Sequence, residues 1–348
     1  MIKVLIVDDS LVVRKMLSHI LEQDPEIKVI DFAHDGLEAI EKIKQLKPDL
    51  VTMDVCMPVL DGIKAVEEIM ANTPVPILII TSSSFLSEGK HLIYKALESG
   101  ALDVVKKPDI REWDNPGDEV GELIRKVKLL SKVKVIRHVK GAKRIEDKES
   151  IAPPKDLESM KIVTIVSSTG GPKSLVKVLS QFPADFPAPI LIVQHIADGF
   201  IGGLSEWLNN ECKLEVTVAE QNEKIKPPHI YLAPTGKHMK INAHGRIQLT
   251  DEPPINGLKP AGDYLLESAA EAFRKNVIAV IMTGMGNDGS RGVVKVKHYG
   301  GEVIAQNEET CVVFGMPKAA IETGNVDKVV SLENIPKVVI KVMQKTEA

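Results

Sequence analysis

Aromatic side chains are scarce: they make up 4% of the 348 residues, with two tryptophans and four tyrosines. Any core this chain builds is therefore aliphatic. Cysteine is scarcer still. Cys56, Cys212 and Cys311 form no CxxC pair, which excludes a zinc ribbon and a disulfide framework and leaves free thiols, expected to be buried in a reducing cytosol. No apolar run approaches the roughly 20 residues that span a bilayer. The opening Met1-Ile2-Lys3 and its short apolar stretch run into acids, unlike a secretory signal. No excess of one charge is present either. The formal net charge is −4, which argues against nucleic acid as the main partner. The expectation is a cytoplasmic protein that is not membrane-embedded. Nothing resembles an HExxH metal site, and no internal repeat stands out.

What is present is an ordinary globular composition, 44% hydrophobic and 26% charged, in a chain long enough for more than one domain. Short apolar runs at 4–7, 29–33, 50–53, 77–80 and 102–105 alternate with helix-period patterns, the last of them through Val120, Leu123, Ile124 and Val127. Five such units predict a doubly wound (βα)5 parallel sheet over residues 1–128. A mixed-charge stretch ending at Pro153-Pro154 predicts a linker over 129–158. From 159 to 348 a second alternation begins, with strands at 162–166, 190–193 and 277–282 and a helix over 263–275. Between them lie β-like pieces at 229–233 and 246–249. The fold class is therefore α/β in two domains, the second mostly parallel with a small antiparallel portion.

In doubly wound sheets, ligands sit beyond the carboxyl ends of the strands. In the first domain those ends carry Asp8, Asp9, Asp54, Thr81 and Lys107. Three carboxylates suit a hard divalent ion such as Mg2+. Thr81 offers a hydroxyl to phosphoryl oxygens, and Lys107 a fixed positive charge. Each residue alone would pass for a helix-capping acid, a loop hydroxyl or a surface lysine. The five together, in the strings Val7-Asp8-Asp9-Ser10, Met53-Asp54-Val55-Cys56-Met57-Pro58, Asp61-Gly62, Ile80-Thr81-Ser82 and Lys107-Pro108, resemble the receiver domains of bacterial two-component response regulators. The resemblance implies Asp54 as phosphoacceptor, Thr81 and Lys107 as phosphoryl-binding switch residues, and Mg2+ held by Asp8, Asp9, Asp54 and the Cys56 backbone carbonyl. By the same analogy the Lys107–Pro108 bond is a candidate cis peptide. One position departs: Val104 stands three before the lysine, where receivers often carry a switching aromatic.

The second domain places Ser168, His195 and Asp288 just past apolar runs. A serine hydroxyl needs a base to become a nucleophile, and the base needs an orienting acid. Ser168 lies at a strand–turn–helix junction, beside helix N–H groups that favour developing negative charge. Spacing alone leaves alternatives open. There is no GxSxG elbow, the chain order Ser, His, Asp differs from that of α/β-hydrolases, and Ser167 is a rival nucleophile. The Gly170-Gly171 turn could instead cradle a phosphate, as in a nucleotide-binding oxidoreductase, but it lacks GxxxxGK[ST] and a full GxGxxG.

The strings Ser168-Thr169-Gly170-Gly171-Pro172, Gln194-His195, Lys237-His238-Met239 and Thr283-Gly284-Met285-Gly286-Asn287-Asp288-Gly289 resemble the chemotaxis protein-glutamate methylesterase (CheB) family. So do Ala305-Gln306-Asn307-Glu308 and Val313-Phe314-Gly315-Met316-Pro317. The resemblance implies Ser168 as nucleophile, His195 as base, Asp288 as orienting acid and the Met285 backbone N–H in an oxyanion hole, with no cofactor for hydrolysis. It implies methylated chemoreceptor cytoplasmic domains as substrates, glutamine deamidation as a second activity, and a chemotaxis histidine kinase as phosphodonor. An unmodified receiver is then expected to pack near the Ser168 cleft and block it. His238 is expected to be structural or to line the cleft, and His229, His244 and His298 to be solvated or at helix ends. The rival from another class is a response regulator whose second domain only binds a partner.

Overall fold

The computed structural model describes residues 1–82, 90–108, 118–135 and 159–344. The chain divides into two compact units, Met1–Ala142 and Lys143–Ala348. Residues 136–158, most of the stretch read as a linker, lie outside the described residues.

In the first unit five parallel strands, β1 (Ile2–Val7), β2 (Ile27–Ala33), β3 (Leu50–Met53), β4 (Ile77–Thr81) and β5 (Asp103–Lys106), lie in the order β2-β1-β3-β4-β5. Helices α1 (Leu11–Leu21), α2 (Gly36–Leu46), α3 (Gly62–Asn72), α4 (Lys90–Ser99) and α5 (Asp118–Leu130) join and follow them. β3 and β4 are buried along their whole length, as strands covered on both faces must be. The first helices begin at side-chain caps. Ser10 accepts from the Val13 N–H, Asp35 from Glu38 and Asp61 from Lys64, each filling an N–H that the helix leaves unpaired. The chain leaves β1 to one side for β2 and to the other for β3, so the crevice of this sheet opens between β1 and β3.

The second unit contains a seven-stranded sheet, every pair parallel, in the order β14-β13-β12-β6-β7-β9-β8. Its strands are β6 (Ile162–Ser167), β7 (Ile190–Gln194), β8 (Glu215–Val218), β9 (His229–Leu232), β12 (Val277–Ile281), β13 (Glu302–Gln306) and β14 (Lys328–Val330). β10 (His238–Ile241) and β11 (Ile247–Thr250) form a separate antiparallel pair. The piece expected at 229–233 is thus a strand of the parallel sheet, and among the described residues the antiparallel portion is one hairpin and two isolated bridges, Lys224 to Arg246 and Ile255 to Leu258. Helices α6 (Gly171–Leu179), α7 (Ile201–Glu211), α8 (Gly262–Phe273), α9 (Ser290–His298), α10 (Met316–Glu322) and α11 (Ile335–Gln344) pack around the sheet. α8 stops at Phe273, two residues short of expectation. Arg274 there takes φ 50°, and a short 3-10 turn leads into β12. β6, β7 and β12 are wholly buried, and the direction of winding reverses at β6.

Three smaller expectations change. The cysteines are free, but Cys56 is exposed and Cys212 and Cys311 are half-buried. Cis peptides precede Pro228 and Pro260; among the described residues Lys107–Pro108 is not cis. His229 is neither solvated nor at a helix end. It is buried in β9 with Nε2 2.8 Å from the Thr217 hydroxyl, because a strand one place from the sheet edge hides the side chains it turns inward.

Candidate functional site

β12, β6 and β7 are adjacent, and their carboxyl ends bring together residues far apart in the chain. Ser167 pairs with Gln194 in register, and the His195 N–H donates to the Ser167 carbonyl at 2.9 Å. On the other side the Ser168 N–H donates to the Thr283 carbonyl at 3.0 Å. Ser168 therefore emerges between the two segments that carry His195 and Asp288. Its carbonyl accepts from Gln194 Nε2 at 2.8 Å and from the Gly171 N–H at 2.7 Å, so its main chain is held from three directions. Gly284 backs it closely: a Cβ there would fall 2.8 Å from Ser168 Cβ and 2.3 Å from Met316 Sδ. Ser167 is fully buried and donates its hydroxyl to Gln194 Oε1 at 2.6 Å. Ser168 is the half-exposed hydroxyl of the two.

His195 Nε2 lies 2.8 Å from Asp288 Oδ2. Asp288 is 1% exposed and accepts three main-chain N–H groups: Gly262 on Oδ2, and Asp263 and Gly289 on Oδ1, each of the latter at 3.0 Å. Burial works against its charge, but the His195 contact and the N–H groups at the start of α8 outweigh it and hold its carboxyl below the usual range. An ionised acceptor fixes the proton of His195 on Nε2. Nδ1 keeps its lone pair, and it is buried with no hydrogen-bond partner among the described residues. A lone pair with no other engagement on a ring oriented by a carboxylate is the arrangement of a general base. The Met285 main-chain N–H has no hydrogen-bond acceptor among the described residues, while the neighbouring Gly284 carbonyl accepts from both Gly315 and Met316.

In the first unit Asp8 and Asp54 are buried at the ends of β1 and β3, and Asp9 beside them is exposed. Lys107 Nζ sits 2.7 Å from Asp8 Oδ2 and 2.7 Å from Asp54 Oδ2. The Lys107 N–H donates to the carbonyl of buried Thr81 at 2.7 Å, which ties the ends of β4 and β5. Carboxylate oxygens of Asp8, Asp9 and Asp54 lie within 4.8 Å of one another, a spread that a single hard cation can bridge. Burial pushes the Asp54 carboxyl up, and the nearby Asp8 charge adds to the push that Lys107 opposes. Burial also disfavours the Lys107 charge, but Asp54 and Asp8 outweigh it and hold its pKa above the usual lysine range. Val104, at the place where receivers often carry an aromatic, is buried.

Ser168, His195 and Asp288 thus follow strands of one sheet edge, and Asp8, Asp9, Asp54, Thr81 and Lys107 lie at another; His195 Nδ1 makes no hydrogen bond to Ser168. The residues that hold them were missed. Gln194 ties Ser167, Ser168 and His195 together, and the Gly262 and Asp263 N–H groups donate to Asp288. Gln194 had a signal, its place beside His195. The start of α8 had none.

Fold and sites define a two-unit α/β protein in which a receiver domain precedes a hydrolase-type domain. The receiver family, described as response regulator receiver domain, matches residues 4–113, and the family described as CheB methylesterase matches residues 163–339. The chain is 43% identical over 347 residues to the protein-glutamate methylesterase/protein-glutamine glutaminase 1 of Syntrophus aciditrophicus (strain SB), covering 98% of each chain. It is 41% identical over 348 residues to the protein of that name, without the number, from Thermotoga maritima, again covering 98% of each. The crystal structure of the Thermotoga maritima CheB methylesterase catalytic domain aligns with 53% of this chain and 99% of its own, at 46% identity and a TM-score of 0.52. The chain belongs to the CheB methylesterase family, with an N-terminal receiver domain.

Proposed function

We propose that this chain is a phosphorylation-governed protein-glutamate methylesterase that also deamidates glutamine. The observation that carries the reading is the His195–Asp288 pair, whose Nδ1 has no partner among the described residues, at the strand ends where Ser168 emerges. His195 Nδ1 takes the proton of the Ser168 hydroxyl as its oxygen attacks the γ-methyl ester carbonyl. The resulting imidazolium stays against ionised Asp288. The Met285 N–H donates to the tetrahedral oxyanion. Collapse expels methanol, to which His195 returns the proton, and leaves Ser168 acylated. Water then attacks with His195 again as base, and glutamate is freed. A glutamine side chain follows the same route and releases ammonia. No cofactor enters these steps. The nitrogens of the ring have exchanged the roles they take in chymotrypsin-type triads, where Nε2 faces the serine.

In the receiver we assign Asp54 as phosphoacceptor, with Thr81 and Lys107 contacting the phosphoryl group. Mg2+, held by Asp8, Asp9, Asp54 and the Cys56 carbonyl, would neutralise phosphoryl charge. The phosphodonor is a chemotaxis histidine kinase, and the substrates are methylated cytoplasmic domains of chemoreceptors. We assign residues 1–128 to the receiver, 129–158 to a linker and 159–348 to the hydrolase. No described helix is long and apolar enough to cross a membrane, in keeping with a cytoplasmic site of action. If phosphorylation moves the protein from 1% to 99% competent, it must favour that state by about 5.5 kcal/mol.

The test is methanol release from a methylated chemoreceptor fragment, with and without a small phosphodonor and Mg2+. Release that rises with the phosphodonor and disappears in Ser168→Ala supports the reading. Release from Ser168→Ala at the wild-type rate removes Ser168 as the nucleophile, and no release from the wild type with phosphodonor removes the enzyme reading in favour of a binding-only output domain.

A further inference from the structure

α8 begins without a cap of its own. Its N-cap residue is Ala261, whose side chain has nothing to accept with. The first N–H groups are instead taken by side chains from elsewhere. Gly262 and Asp263 donate to Asp288, so the acid that orients His195 is also the cap of α8. The preceding N–H, that of Ala261, donates to His238 Nδ1 at 3.1 Å. Three consecutive main-chain donors are thus shared between one buried imidazole and one buried carboxylate.

We propose that His238 is a positioning residue for hydrolysis: it fixes Ala261 so that the next two N–H groups meet the Asp288 carboxylate. The proposal rests on the Ser168–His195–Asp288 reading and adds a residue to it.

The chemistry of the ring fits this role. His238 is on β10, in the small hairpin outside the main sheet, and is 0% exposed. An N–H can only donate, so Nδ1 must carry a lone pair, and the ring proton belongs on Nε2, 3.2 Å from the Pro253 carbonyl. The ring is therefore neutral and bridges two main-chain groups that no leucine of similar size could join. Its surroundings keep it neutral. Burial is the largest influence and lowers its pKa, and the nearby Lys259 charge adds to this; the hydrogen bond to the Pro253 carbonyl and the Glu252 charge oppose it without reversing the direction. The Tyr264 ring lies 4.3 Å away, with Lys240 over the far ring at 4.7 Å and paired to Glu252. Space at the joint is tight. A Cβ on Gly262 would fall 2.4 Å from Val166 Cγ1, so the helix start cannot shift toward β6 to recover a lost contact.

The test uses the full chain, with active sites counted by a fluorophosphonate and methanol release measured per counted site. His238→Leu is expected to lower kcat about 10- to 100-fold, the range for groups that orient catalytic residues. KM should stay within about twofold. The acidic limb of the kcat/KM profile should move to lower pH, because a misplaced Asp288 supports the His195 imidazolium less. His238→Gln, which keeps an acceptor and a donor, should restore most of kcat. A merely structural role would reduce the number of active sites and leave rate per site and pH limb unchanged, and that result overturns the proposal. If His238→Leu does not fold, the nitrogen shifts of wild-type His238 decide: a bare Nδ1 throughout the active pH range supports the proposal, and a protonated Nδ1 overturns it. Asp288→Asn is run in parallel. Loss of hydrolysis there with an unaffected His238→Leu defeats only the positioning role, whereas undiminished hydrolysis by Asp288→Asn defeats the triad itself.

Discussion

The two units place a buried carboxylate at the same kind of address, the carboxyl end of a central parallel strand, and treat it in opposite ways. Asp54 is 6% exposed and Asp288 1% exposed, so burial pushes both toward the neutral form. Asp54 ends above the ordinary carboxylate range and Asp288 below it. The difference is in the neighbours. Asp54 shares one ammonium, Lys107, with a second buried carboxylate, and among the described residues receives a single main-chain N–H, from Val55 at 2.8 Å. Asp288 has an imidazole to itself and three main-chain donors. A pocket of under-neutralised oxygens is suited to take up a cation and a phosphoryl group. A fully satisfied carboxylate is suited to hold a ring still. The lesson is that strand-end geometry sets where an acid sits, while the donors that reach it set what it can do.

The contrast can be broken most sharply at the hydrolytic edge. Ser168→Ala should reduce kcat for methanol release by about 10⁶-fold, as loss of a triad nucleophile does elsewhere. Asp288→Asn should cost about 10⁴-fold, because an amide facing Nε2 favours the wrong tautomer and cannot support an imidazolium. A smaller loss would mean that the main-chain donors, not the carboxylate charge, carry the orientation. In the receiver, Asp54→Asn should abolish incorporation of labelled phosphate and remove the phosphodonor response, expected at about 10- to 100-fold for a coupling of this kind. Basal methanol release should persist, which separates the two acids by role. Gly262→Ala should destabilise the protein by about 1–3 kcal/mol in urea denaturation, since the new methyl overlaps Val166.

The smallest effect concerns a third acid. Asp263 is raised from an ordinary 3.8 to about 6, by burial first and then by the Asp288 charge, despite its hydrogen bond from the Gly292 N–H. A carboxyl with a raised folded pKa contributes stability that is complete below pH 3.8 and lost as pH rises through about 6. Asp288, being lowered, works the other way: its contribution is present above the ordinary carboxylate range and is lost as pH falls through its folded pKa. Asp263→Asn should therefore stabilise the protein at pH 7 by on the order of 1 kcal/mol and leave stability at pH 4 unchanged. Equal stabilisation at both pH values would show that packing, not charge, governs the site.

Much of this arrangement is legible in the chain, and the reason is local. Fully apolar runs such as 77–80 and 277–281 announce central strands, and the helix-period patterns between them announce the helices that follow. A parallel sheet then delivers whatever follows each strand to one edge. That is why Asp8, Asp54, Ser168, His195 and Asp288 could be placed before any coordinate was known. Contacts between distant segments are not encoded by neighbours in sequence. Short alternating pieces around 229–249 carry no mark of their partners, so β9 could not be told from the β10–β11 hairpin.

By itself the sequence determined two α/β units, the strand ends that bear chemistry, and the residue types available there. Only the tertiary structure decided which imidazole nitrogen faces the acid, that Asp288 doubles as the cap of α8, and that His238 stands behind it. The Ala261–His238 bond joins residues 23 apart, and the Gly262–Asp288 bond residues 26 apart. Side-chain chemistry and local periodicity are properties of short segments and survive in a linear reading. Contacts between loops exist only once the sheet has closed the distance between them.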